Sequence, residues 1–314
     1  MTPMKIIITG GLGFQGSHLA EALIAEGHEV TLFNTYSEFI RPNEELLKDK
    51  ARIIYGSVTD PIAVEKAIRE HDVVFHLAAS VNVDESLKYP QRFIENNIVG
   101  THNVLEAVRQ NGIKMIHAST CEVYGDGHDL KEGALLREDT TLLPNSPYAA
   151  SKAAADRWCI AYHKSFAVDV AVVRPFNIFG ERQKSGSFGA LIPILVRKAM
   201  QGEPLTVFGD GSATRDYTHV SDLVRAYQLT LANMDSLSGQ AINFASGVNT
   251  SVKEIAEYIA DAFAVPIEYG PARPGEVMRF PADVSLAKQL GYEPKVSIWE
   301  GIDRYIAWAK ATQG

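Results

Sequence analysis

Cysteine is almost missing from this chain: only Cys121 and Cys159 occur among 314 residues. Two isolated thiols make no disulfide framework, and they fit a reducing compartment. There is no CxxC pair, no HExxH and no clustered His/Cys set, so no structural or catalytic metal is expected. No apolar run approaches the roughly 20 residues that span a bilayer. No signal peptide is read at the start of the sequence either, so a cytoplasmic location away from membranes is expected. Basic charge is also in short supply. A formal net charge of −8 argues against a general binder of nucleic acid or anionic lipid. A phosphorylated ligand then needs locally placed arginines. Internal repeats, low-complexity tracts and flexible linkers are not seen.

What is present is a chain that is 46% hydrophobic, enough for one large α/β domain carrying a smaller lobe. Its most informative stretch is Met4-Lys5-Ile6-Ile7-Ile8-Thr9-Gly10-Gly11-Leu12-Gly13-Phe14-Gln15-Gly16-Ser17. A short apolar strand runs into a glycine-rich turn that opens a helix, His18 to Glu26, closed by Gly27. Glycine serves where backbone bends tightly or nears a ligand, and the first N–H groups of a helix are free to hold an anion. Strand, glycines at 10, 13 and 16, then helix is the expected cradle for a dinucleotide pyrophosphate.

Strand-like runs follow at Glu29–Phe33, Arg52–Tyr55, Asp72–Leu77, Lys114–Ser119 and Asp169–Arg174. Helical periodicity fills Ile62–Glu70, Pro90–Asn111 and Ser146–Ser165. Such alternation predicts a parallel sheet covered on both faces, with ligands beyond the carboxyl ends of the strands. After about residue 175 the pattern breaks into turn-rich segments with helices at Asp222–Asn233, Val252–Ala264 and Ile298–Lys310. The expected division is a dinucleotide-binding domain over 1–175 and a mostly substrate-binding lobe over 176–314. Its boundary is soft, because Pro175–Gly202 is expected to cross between the parts.

Two further constellations carry chemistry. Ser146-Pro147 reads as a helix start, with Ser as cap and Pro in the first turn. Tyr148 and Lys152 then share one helix face. A tyrosine titrates near 10, so lowering it by about 3 units needs roughly 4 kcal/mol of preference for the phenolate. A nearby ammonium, together with a positive nicotinamide ring, is a source for that preference. Read alone, the pair is equally at home on the surface of an amphipathic helix. The second constellation is Ser119-Thr120-Cys121-Glu122-Val123-Tyr124-Gly125, directly after a strand. Thr120 suits a hydrogen bond to a sugar hydroxyl, or a satisfied turn. Glu122 suits a base towards a C–H beside a ketone, or a solvated loop. Cys121 is a weak acid or a small packed residue.

Together these features resemble the extended short-chain dehydrogenase/reductase family of nucleotide-sugar epimerases, dehydratases and decarboxylases, over nearly the whole chain. The resemblance adds His76-Leu77-Ala78-Ala79, Asn97-Ile98-Val99-Gly100-Thr101, Arg174-Pro175-Phe176-Asn177, Gly209-Asp210-Gly211, Arg215-Asp216-Tyr217 and Arg273-Pro274-Gly275-Glu276. It implies an α/β fold: a doubly wound parallel Rossmann sheet with a smaller C-terminal mixed α/β substrate lobe. It implies NAD as cofactor, with the pyrophosphate held by Gly10, Gly13, Phe14, Gln15 and Gly16. Asp60 would lie near the adenine, and Leu77, Ala78, Ala79 and Asn97 on the nicotinamide side. Tyr148 would take the proton from the sugar C4 hydroxyl, Lys152 would hold the nicotinamide ribose, and Thr120 would bind the reacting hydroxyl. Asn177, Arg215 and Arg273 would hold the substrate diphosphate, although both arginines also read as surface loop cations. Ser86, Val207 and Tyr217 would complete the substrate site.

Two departures matter. Many relatives end the second strand in an acid that grips the adenosine ribose, whereas this chain has Asn34, with Arg41 as the nearby cation. NADP is therefore possible alongside NAD. Dehydratases of the family typically follow the Thr with Asp-Glu, and here Cys121 replaces the Asp. The resemblance implies a 4,6- or 5,6-dehydratase of a nucleotide-diphosphate sugar that uses Thr120, Cys121 and Glu122 with Tyr148 and Lys152. The alternative is a 4-epimerase like UDP-glucose 4-epimerase; a uronate decarboxylase and a non-catalytic dinucleotide-binding regulator follow. Homodimerisation is expected by analogy, through a four-helix bundle of Pro90–Asn111, Ser146–Ser165 and their symmetry mates.

Overall fold

The structure is a computed structural model that describes residues 2–126, 134–186, 189–272 and 278–313. It divides into two compact units: Met1–Val123, Pro144–Arg174 and Val224–Ile242 form one, and Tyr124–Leu143, Pro175–Leu223 and Asn243–Gly314 the other.

The first unit alternates strand and helix: β1 Lys5–Thr9, α1 Phe14–Ala25, β2 Glu29–Asn34, α2 Arg41–Leu47, β3 Arg52–Tyr55, α3 Pro61–Ile68 and β4 Val73–His76. It continues through α4 Val83–Lys88, α5 Pro90–Phe93, α6 Gly100–Asn111, β5 Lys114–Ala118, α7 Pro147–Phe166 and β6 Val170–Pro175. The sheet has seven strands in the order β3-β2-β1-β4-β5-β6, completed by Ala241–Phe244 beside β6. Pairing is parallel, with Ile7 opposite both Thr31 and Val74, and His76 opposite His117. This is the Rossmann-like α/β architecture expected of the sequence. β1 and β4 carry continuous apolar runs because helices cover both faces of a parallel sheet. One face buries Met115, Val170 and Val172 against Val104, Leu105 and Val108 of α6.

The helix expected over Pro90–Asn111 is a composite. Between α5 and α6, Ile94–Val99 is π-helical. That wider turn holds Asn97, whose side chain is engaged outside the helix. At Gly100 an added Cβ would come within 2.6 Å of a Val58 methyl, so only glycine lets α6 pack there.

The second unit is built on three strand pairs: Ile178–Phe179 with Thr218–His219, Thr214–Asp216 with Asn249–Ser251, and Leu205–Phe208 with Ile267–Gly270. Helices Leu191–Met200, Val252–Phe263 and Ile298–Gln313 bury Ile192, Leu195, Ile255, Ile259 and Ile302 in one cluster. Among the described residues no helix is long and apolar enough to cross a membrane.

Candidate active site

β1 delivers the chain to Gly10, whose N–H makes the last rung to β2, on the Phe33 carbonyl at 2.8 Å, before its φ of +73° turns the chain. A Cβ at Gly10 would lie 2.9 Å from the Ala78 nitrogen, and one at Gly16 would strike the Gly10 carbonyl oxygen. Gly13, the N-cap of α1, offers no side-chain cap, and the first turn of α1 holds no acid. The leading N–H groups of that helix thus have neither a side-chain cap nor a first-turn carboxylate beside them, as an anion site requires. Residues and backbone fit a dinucleotide pyrophosphate. Leu12 is clamped from both sides, its N–H by Asn34 Oδ1 at 2.8 Å and its carbonyl by Asn43 Nδ2 at 2.9 Å. Gln15 Oε1 accepts from the Tyr227 hydroxyl at 3.1 Å. Asp60 caps α3, accepting from the Ile62 and Ala63 N–H groups. Arg41 lies 3.7 Å from Glu38, so the cation considered for a 2′-phosphate already has an acidic neighbour.

Past β4, Leu77, Ala78 and Ala79 line the same end of the sheet. The Thr9 hydroxyl joins His76 Nδ1 at 2.7 Å and accepts from the Ala78 N–H at 3.3 Å. Asn97 bonds the Ser80 N–H and carbonyl and the Ser151 hydroxyl, tying the π-helical turn to the loop and to α7. Ser86 is fully buried and donates to the Val83 carbonyl at 2.6 Å, a local role inside α4.

α7 starts as its sequence dictates. Ser146 Oγ accepts from the Ala149 N–H at 3.1 Å, and Pro147 occupies the first turn. Tyr148 and Lys152 are both buried, not surface residues. Burial raises the Tyr148 phenol above its ordinary value; the Glu122 carboxylate raises it further, a Thr120 hydrogen bond lowers it, and Cys121 adds a smaller upward push. The structure therefore brings Thr120, Cys121, Glu122 and Tyr148 together. Lys152 is not among these groups; its ammonium donates to the Ala118 carbonyl at 2.5 Å. Burial lowers Lys152 itself to about 8, against the upward pull of Cys159 and Asp156.

Behind this face lies an ion cluster that sequence reasoning missed. Asp156 and Arg174 are both wholly buried; Arg174 donates through Nε at 2.8 Å and through a terminal nitrogen at 3.0 Å. Ser119 Oγ donates to Asp156 at 2.8 Å, and Arg157 bonds it too. Burial pushes the Asp156 carboxyl up, but the Arg174 hydrogen bonds and charge outweigh it, so it titrates below the carboxylate norm. The spacing was available: Asp156 follows Lys152 by four, on the face already occupied by Tyr148.

In the second unit, Asn177, Arg215 and Tyr217 gather around Asp216. Asn177, at a φ of +35°, donates to the Asp216 carbonyl at 3.2 Å. The Asp216 carboxylate is fully buried on Ser246 and Gly247, with N–H donors at 2.7 Å. Arg215 lies over the Phe280 ring at 5.2 Å and donates to the Thr214 carbonyl. Val207 is buried in a different strand pair. Arg273 lies outside the described residues.

A family model described as the NAD dependent epimerase/dehydratase family matches residues 6–245. The chain is 35% identical over 316 residues to a UDP-N-acetyl-alpha-D-glucosaminuronate decarboxylase of Bacillus cytotoxicus, covering 97% of each chain. It is 34% identical to a dTDP-glucose 4,6-dehydratase of Actinoplanes, covering 99% of each. The structure of UDP-glucose 4-epimerase with UDP-glucose from Thermotoga maritima matches with a TM-score of 0.91 at 30% identity, over 99% of this chain and all of that one.

Proposed function

Since the chain belongs to the NAD dependent epimerase/dehydratase family, we propose that it is a nucleotide-sugar dehydratase acting through transient oxidation at C4. The observation that carries this reading is the Glu122 carboxylate close enough to Tyr148 to raise its phenol. A C4 epimerase needs a base for the hydroxyl proton only. A carboxylate beside that phenol suits removal of a C–H proton made acidic by the new ketone.

Bound NAD supplies a reversible two-electron acceptor at C4, and return of the hydrogen at C6 or at C4 separates a 4-keto-6-deoxy sugar from a 5,6-ene. Tyr148 takes the C4 hydroxyl proton, with Thr120 holding that oxygen and Lys152 balancing the phenolate charge. Glu122 takes the C5 proton. The C5–C6 double bond forms as the C6 hydroxyl departs with a proton as water, and Cys121 is the adjacent weak acid. In the first unit the glycine cradle holds the dinucleotide. In the second, Arg215 with Asn177 and Tyr217 receives the substrate diphosphate, a task suited to the guanidinium fork in an acidic protein.

Incubation with candidate sugar nucleotides in heavy water tests the reading. Loss of the C6 oxygen is expected, with deuterium at C5 where the hydrogen returns to C6 and no hydrogen left on C5 where it returns to C4; clean C4 inversion without solvent label overturns it. The second reading, 4-epimerisation, draws on Cys121, because a buried thiol is a weaker proton donor to the leaving hydroxyl than a carboxylic acid.

We also take the protein to be a homodimer. Trp158 and Phe166 on α7 and Ile94 and Val99 beside α6 are large apolar side chains left 42–55% exposed. Sedimentation equilibrium is expected to give twice the chain mass, and Trp158→Glu to return it to one. A monomeric unaltered protein sinks this assignment.

A further inference from the structure

Between Arg215 and Tyr217 stands a carboxylate that the chemistry above does not use. Alternation along the extended chain sets it on the inner side: Arg215 and Tyr217 are partly exposed, whereas Asp216 and Thr218 are buried. Asp216 Oδ1 accepts from the Ser246 N–H at 2.7 Å and from the Ser246 hydroxyl at 2.6 Å. Its Oδ2 accepts from the Gly247 N–H at 2.7 Å. Gly247 has a φ of +79°, and two successive N–H groups converge there on one anion. These partners carry no charge, and a carboxylate held this way is costly to bury, so the position calls for a reason beyond packing.

The backbone of the same residue holds a second member of the site. Its carbonyl accepts from Asn177 Nδ2 at 3.2 Å, and the Thr218 N–H donates to the Asn177 carbonyl at 3.3 Å. Asn177 is thus gripped twice at a φ of +35°, which non-glycine residues keep only where their surroundings over-determine it. Just after the Ser246–Gly247 turn, Asn249 pairs with Asp216 and Thr250 with Arg215 in an antiparallel ladder. The carboxylate therefore closes the turn that brings the partner strand back alongside Arg215.

We propose that Asp216 is a positioning residue for the diphosphate site. Its carboxylate fixes the Ser246–Gly247 turn and its carbonyl fixes Asn177, so Arg215, Asn177 and Tyr217 meet the phosphates already in place. This rests on the reading of Arg215 and Asn177 as diphosphate ligands. A carboxylate suits the task because both of its oxygens accept, whereas an amide there sets an NH2 group against an N–H. Donors held in advance bind without the entropy cost of ordering the loop, so the effect falls on affinity. Tyr148, Lys152, Thr120 and Glu122 belong to the other unit, so the chemical step is spared.

Calorimetric titration of uridine, thymidine and guanosine diphosphates into NAD-saturated protein tests the assignment, with steady-state kinetics on the sugar nucleotide identified by the heavy-water screen. Asp216→Asn is expected to weaken the best-bound diphosphate about tenfold, the effect of one buried donor left facing another. KM is expected to rise by the same factor with kcat nearly unchanged, the pattern of lost ground-state binding. Ser246→Ala keeps both backbone donors and removes only the hydroxyl, and is expected to weaken binding about threefold. Unaltered diphosphate affinity in both variants overturns the positioning role, even where Asp216→Asn unfolds at lower urea. A fall in kcat at constant KM overturns it too. Should Asp216→Asn fail to fold, Ser246→Ala alone decides. Arg215→Met with undiminished diphosphate affinity, or unaltered protein that binds none of the three, defeats the diphosphate reading instead.

Discussion

Tyr148→Phe is expected to cut turnover about 10²–10⁴-fold while leaving NAD affinity near that of the unaltered protein. The phenylalanine keeps the ring that meets Phe93 edge-on at 6.3 Å, so α7 and its surroundings stay packed. What disappears is the hydroxyl that bonds Thr120 and that we propose takes the C4 proton. Steady-state turnover of the sugar nucleotide identified by the heavy-water screen, with a parallel NAD titration, separates the two quantities. Undiminished turnover removes Tyr148 from the chemistry.

Asp156→Asn is expected to cost about 3–5 kcal/mol of stability, because it strands the fully buried Arg174 guanidinium without its counter-charge. Urea unfolding measures the loss. Replacing both partners with apolar residues, Asp156→Leu with Arg174→Met, is expected to cost far less, since no uncompensated charge remains. The pH dependence has a definite sign. The folded carboxyl titrates below its ordinary 3.8, so its contribution is complete above that pH and fades as pH falls through the folded value. Asp156→Asn should flatten that acid limb. An unaltered limb, or a cost under about 1 kcal/mol, contradicts the role assigned to the pair.

Much of the first unit was legible because its signals are local. Ile6-Ile7-Ile8 announces a buried strand, and Gly10, Gly13 and Gly16 announce a tight turn, from neighbours alone. Ser146-Pro147 fixed the start of α7, and with it the shared face of Tyr148 and Lys152. α1 nonetheless begins at Phe14, ahead of the expected His18, because the turn itself winds into the helix. The π-helical turn at Ile94–Val99 was not legible. It answers to Ser80 and Ser151, which are distant in sequence from Asn97. The helix Leu191–Met200 was hidden by Pro193, which a first turn tolerates. The bond from Lys152 to the Ala118 carbonyl was hidden for the same reason: spacing reveals a lysine one turn from Tyr148, but not what its ammonium meets.

The double clamp on Leu12 has a consequence for how the protein meets its oxidant. With N–H and carbonyl both held by Asn34 and Asn43, the loop is stiffened without help from a guest. Association then forfeits little loop entropy, and more of the contact free energy appears as residence time. Such preorganisation suits the transient oxidation proposed above, in which the electron acceptor is regenerated and need not be exchanged.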